Sequence, residues 1–199
     1  MRLAENSLPD SAAVRAALEV AEAYLPPPLV AHSVRSWYWA AGFAEILGLR
    51  PDGELLAVAA LLHDTGLAEE FDAVRVPYET AGGHVAAVLG AGAGWDAARR
   101  RRVVEVVERH NWPEVDPALD VEGHLLEIAT GLDISGARPD ALPQAYLREV
   151  LAAHPRGALA AAFGDRVAEQ ASRKPESHAA RILAGGLREH LAHHPLDAL

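Results

Sequence analysis

Residues 60–71 read ALLHDTGLAEEF, and they set His63 and Asp64 at the foot of an unbroken apolar run from Leu55 to Leu62. Eight apolar residues in a row belong in a core, and an unpartnered charge is costly there, so the imidazole and carboxylate that follow must be held by something. Asp52 is a good helix N-cap and Gly66 a good stop, which predicts a helix from Asp52 through Asp64 with the polar pair in its last turn.

Outward from that helix, 3.6-residue periodicity broken by Pro and Gly predicts helices almost throughout. One follows Asp10 or Ser11 and runs to Tyr24, where Pro26–Pro28 end it; the next starts after Pro28 and reaches Leu47, with Gly48 as its stop. A short, glycine-loosened helix is expected over Glu79–Leu89, then helices from Trp95 to Asn111 and from Val121 to Ile134. Three more are expected over 143–153, 156–172 and 176–192. No strand pair, repeat or low-complexity linker stands out. The expected fold is therefore all-α, a single-domain helical bundle over residues 1–199, with a core region over 29–134 and C-terminal helices over 140–194 packing on it.

Half of the 199 residues are hydrophobic, enough for one sizeable core but not for two large domains. No apolar stretch approaches the roughly 18 residues that span a bilayer, so no membrane partner is expected. MRLAENSLPD lacks the apolar segment of a signal peptide, which leaves the cytoplasm as the default address. The absence of cysteine agrees with that address and restricts any metal to nitrogen and oxygen ligands. A net charge of −10 argues against a nucleic-acid partner. The four arginines Arg99–Arg102 point about 100° apart on a helix, which makes a solvated surface the simpler reading and a phosphate grip the alternative.

Three further polar residues share inward stripes. His32 lies seven before Trp39 and eleven before Phe43, His110 follows Val103 and Val106, and Asp133 follows Leu126 and Ala129. A single histidine on an apolar face is usually a satisfied core residue. Here His32, His63, Asp64 and Asp133, from three helices, supply four donors able to meet at one point, and a divalent cation there would satisfy all four.

His32, the His63-Asp64 pair and Asp133 in GLDISG, in that order on helices, resemble the HD-domain superfamily of metal-dependent hydrolases over about Leu29 to Ile134. HSVRSWYWAAGFAEILGL, LLHDTGL, YETAGG and EQASRKP resemble more narrowly the cyanamide-hydratase-like HD proteins. The resemblance implies the all-helical HD-domain fold and metal ligation by His32, His63, Asp64 and Asp133. The ion would be a divalent transition metal, Zn2+ or Fe2+, that activates a water. His84 and His110 follow in the order found in members that hold two metals. One ion with His84 and His110 as pocket residues is the expectation, and a second ion held by both is the alternative.

Glu79 could move a proton or support a ligand, or be an ordinary carboxylate at a helix start. Arg35 could contact substrate or pair with Glu79 or Asp64. Trp37, Tyr38, Trp39 and Trp112 could wall a pocket, though core packing explains most of them, and the histidines of EHLAHHP read as surface. The expected activity is a hydrolase or hydro-lyase adding water to a small polar molecule, in a chain that could assemble with itself. The alternatives are a phosphohydrolase of a nucleotide or phosphoester, a di-iron oxygenase, and a helical regulatory module with a structural metal.

Overall fold

The apolar run forms the axis of the molecule. In the computed structural model, which describes residues 1–199, helix α3 (Gly53–Leu62) is enclosed on every side, and Leu55 to Leu62 are each at most 3% exposed. Around it pack α1 (Ala12–Tyr24), α2 (Pro27–Leu47), α4 (Tyr78–Gly92), α5 (Ala97–Arg109) and α6 (Val121–Ser135). A helix apolar all round has no face for solvent, so it takes the centre and the amphipathic helices become the shell. Helices α7 (Gln144–Ala153), α8 (Leu159–Arg173), α9 (His178–Ala184) and α10 (Leu187–Ala192) follow, with 3-10 turns at Leu3–Asn6, Thr65–Leu67 and Pro195–Ala198. There is no strand, and no helix is long and apolar enough to cross a membrane.

The starts of the helices follow their caps. The side chains of Ser11, Asp52, Asp96 and Asp120 accept from the backbone N–H three residues on, those of Val14, Leu55, Arg99 and Gly123. Pro27 opens α2 instead of preceding it, because a first-turn residue needs no N–H. Gly48 and Gly136 end α2 and α6 in the left-handed conformation, with φ of 66° and 70°.

Two expected boundaries move for tertiary reasons. Helix α3 ends at Leu62, and His63 and Asp64 begin the turn that leads into Thr65–Leu67. Gly66 is not its left-handed stop: a Cβ there would lie 2.0 Å from the carbonyl oxygen of Tyr78, so the residue is a close-approach site. The expected helix over 176–192 is broken into α9 and α10 at Gly185-Gly186, where Gly186 adopts φ 90°.

The arginine run fits neither a wholly solvated surface nor a phosphate grip. Arg99 bonds Asp52 and Glu54 and lies 4.5 Å over the Trp95 ring, while Arg102 bonds Asp120 and Glu122. Three residues apart on one face, these two guanidinium groups staple α5 to the N-terminal ends of α3 and α6. His194 departs from the surface reading of EHLAHHP: it is buried, and its Nδ1 accepts from Leu196 N at 3.2 Å.

Gly66→Ala should lower stability by about 1–3 kcal/mol or more, because backbone and not a side-chain tip must give way. Gly92→Ala, at a helical position with nothing within 4 Å, should be neutral or stabilising by about 0.4–1 kcal/mol. Urea midpoints of the two variants check the contrast, and equal losses would remove the close-approach explanation.

Candidate metal centre

Helix α2 brings His32 to the C-terminal end of α3. The Nε2 atoms of His32 and His63 lie 3.1 Å apart, and Asp64 Oδ2 is 3.6 Å from the first and 3.4 Å from the second. All three side chains are 1% exposed. The protons on these rings are fixed from behind. His63 Nδ1–H donates to Ala60 O at 2.8 Å, and His32 Nδ1–H donates to Asp133 Oδ2 at 2.7 Å. Each proton held on Nδ1 leaves a lone pair on Nε2. Two nitrogen lone pairs therefore face each other beside Asp64, and neither carboxylate oxygen of Asp64 has a hydrogen-bond partner despite its burial. Such a set is unfavourable alone and suited to a cation: a tetrahedral shell of bonds of about 2.1 Å has edges of about 3.4 Å.

His110 continues the row. Its ring centroid is 4.8 Å from that of His63, and its Nδ1–H is spent on Val107 O, leaving Nε2 free. Burial, reinforced by His63, lowers its pKa to about 3, so it is neutral at neutral pH. Burial works against ionisation of Asp64, but positive charge on His63, whose own pKa Asp64 raises in return, holds that carboxyl down at about 2, a charge that a cation bound at the Nε2 atoms would replace. Burial lowers His32 as well, against the pull of Asp133.

Asp133 does not join this group. Its Oδ1 accepts from Arg35 Nε and Trp39 Nε1, each at 2.8 Å, and its Oδ2 from Arg35 Nη2 and His32 Nδ1, each at 2.7 Å. The expected fourth ligand is thus saturated by four donors, and it orients His32 from behind. Arg35, fully buried, neither faces a substrate nor pairs with Glu79 or Asp64; it also donates to the carbonyls of His154 and Pro155. Trp39 is committed to Asp133 and Trp37 to Asn6 O, leaving Trp112 as the one of the four aromatics on the cavity.

His84 is exposed and lies along a separate apolar groove between α1 and α4. Helix α4 turns Gly82, Gly83, Ala86 and Gly90 inward, because the close neighbours leave no room for larger residues: a Cβ on Gly82 would stand 2.7 Å from the carbonyl oxygen of His63. His84 is on the opposite side, which overturns the second ion shared between it and His110. Glu79 is buried at the start of α4 but lies off the cavity, with burial raising its pKa.

From His32, His63, Asp64 and His110 a cavity of about 570 Å³ opens outward. Helix α6 forms one wall, the side chains of Phe163, His178, Arg181 and Leu187 another, and Tyr78, Asn111 and Trp112 the rest. Tyr78 OH accepts from Asn111 Nδ2 at 2.8 Å. The sequence reading missed His178, Arg181, His190 and Glu127 as lining residues. The Gly185-Gly186 pair inside a supposed helix was the available signal for the first three, because a break there folds the C-terminal helices back over the site.

The model of the HD domain family matches residues 29–135, more than half of the chain and the segment that carries His32, His63, Asp64 and His110. The chain belongs to the HD domain family. A search of curated proteins finds no relative. Membership and the buried His32, His63 and Asp64 group agree on metal-dependent, hydrolase-type chemistry with a divalent ion.

Asp133→Asn should cost about 3–5 kcal/mol, because it leaves the Arg35 guanidinium buried without a full counter-charge. Burial opposes the charge on Asp133, but Arg35 holds its pKa well below the ordinary carboxylate value, so the folded value lies below the unfolded one, near 3.9. Its contribution is therefore complete above about pH 5 and lost as the pH falls through 4 and lower. Urea unfolding from pH 6 to pH 3 should show a steeper loss in the wild type than in Asp133→Asn.

Proposed function

We propose that the protein is a metal-dependent hydrolase or hydro-lyase that adds water to a small polar molecule held in the 570 Å³ cavity. The observation that carries this reading is the pair of imidazole lone pairs converging with an unpartnered buried carboxylate. The fit favours one ion, because His84, needed for a second, faces another groove. When bound, a divalent transition metal such as Zn2+ or Fe2+ supplies a Lewis acid and a water of lowered pKa.

The chain's own residues divide the remaining work. Asp133 and the Ala60 carbonyl keep the His32 and His63 protons on Nδ1 and so keep both Nε2 atoms available. His110, held neutral beside His63, has a free Nε2 that can accept a hydrogen bond from the attacking water and orient it. Addition to a C≡N carbon, as in cyanamide hydration, moves a proton of that water to nitrogen and needs no leaving group. A second reading, phosphoester hydrolysis, has Arg181 in its favour, a guanidinium at the cavity rim that the sequence did not place there.

Protein purified without chelators should carry about one transition-metal ion per chain by elemental analysis. His63→Ala and Asp64→Ala should lose it, and His84→Ala should keep both metal and turnover. His110→Ala should keep the metal and lose rate on the order of 10²-fold. Comparing cyanamide and small nitriles with p-nitrophenyl phosphate separates the two readings, and full metal occupancy in Asp64→Ala would refute both.

A further inference from the structure

Glu127 is a half-buried carboxylate on the cavity wall, and one of its two oxygens is left without a partner. It stands on α6 in the stripe Glu127, Thr130, Gly131 and Ile134, all of which line the cavity. Its Oε2 is buried and has no hydrogen-bond partner. The adjacent hydroxyl does not reach it: Thr130 Oγ1 donates to the carbonyls of Leu126 and Glu127. Arg138 and Glu114 act on it only at a distance, and burial raises its pKa, as expected of a desolvated carboxyl that lacks a donor. One turn on, the wall is open, since a Cβ on Gly131 would meet nothing nearer than Ala137 Cβ at 3.9 Å.

Resting on the hydrolase reading, we propose that Glu127 is the specificity residue of this cavity, accepting a hydrogen bond from an N–H group of a small amide-, urea- or amidine-like substrate. A buried, unpaired acceptor discriminates strongly, because a ligand without the matching donor leaves it unsatisfied. The same oxygen repels a phosphate. Apart from a bound ion, the protein groups that would favour an anion lie farther out: Arg181 and His190 are exposed, and His178 is kept neutral by burial and by Arg181, with a pKa lowered to about 4.

Titration calorimetry of the full, metal-loaded chain with acetamidine and with inorganic phosphate tests the assignment. The wild type should bind acetamidine, and Glu127→Gln should weaken that binding at least tenfold while leaving phosphate binding equal or tighter. Because Oε2 has no partner to lose, Glu127→Gln should melt within a few degrees of the wild type, and Glu127→Asp, one methylene short, should give an intermediate loss. Unchanged acetamidine affinity in Glu127→Gln, or no acetamidine binding by the wild type, would overturn the proposal. A chain that takes up no metal yet binds acetamidine through Glu127 would sink the hydrolase reading and leave this one standing.

Discussion

The carboxylate of Asp133 ties the bundle to its site. Burying an ion pair costs more in lost hydration than it returns unless every lone pair and proton is met, and here each oxygen of Asp133 accepts two bonds. Those donors come from three successive turns of α2, at His32, Arg35 and Trp39, so one side chain on α6 sets both the rotation and the depth of α2. Arg35 reaches on to the carbonyls of His154 and Pro155, and Arg156 pairs with Asp197 and the carbonyl of Asp133. The segment between α7 and α8 and the last turn of the chain are thereby referred to the same point. The imidazole of His32 takes its tautomer from this network, so the stability of the fold and the chemistry of the site share one residue.

The fold was legible because its information is local. Caps at Ser11 and Asp52, the apolar period of the shell helices and the all-apolar α3 each act within a few residues. What escaped depends on neighbours distant in sequence. Gly66 looks like a helix stop, and only the path of Tyr78 shows that it is a close approach. Helix α4 is obscure for a related reason: Val85, Val88 and Leu89 form no clean apolar stripe that fixes its direction, and in the fold Val88 is 74% exposed while the glycines take the interior. Where helices cross closely, volume outranks hydrophobicity in choosing the buried side, and His84 is carried outward with the valines.

At the site, the inward stripes of α2 and α5 located His32 and His110, and the foot of the apolar run located His63 and Asp64. Arg35 was misread because an arginine near a candidate site suggests a ligand contact, whereas its buried length and its fork suit Asp133. Glu127 carries no signal of its own, since one carboxylate on a helix is ordinarily solvated. Its distinction arises only when the C-terminal helices close the space in front of it.

The two halves of the cavity are held by unlike forces. On the metal side, backbone lies against backbone: Gly82 abuts the His63 carbonyl and Gly66 the Tyr78 carbonyl, so His63 and Asp64 have no slack. The opposite wall rests on few buried residues, Ala179 in α9 and Leu187 and Leu191 in α10, and is interrupted by Gly185-Gly186. Local opening is easiest where little apolar surface is buried, so adjustment to ligands of different size falls on α9 and α10. The His32, His63 and Asp64 donors stay where α2, α3 and Asp133 hold them. On the proposed function, a substrate exchanged through the C-terminal wall would leave undisturbed the tautomers on which the donor set depends.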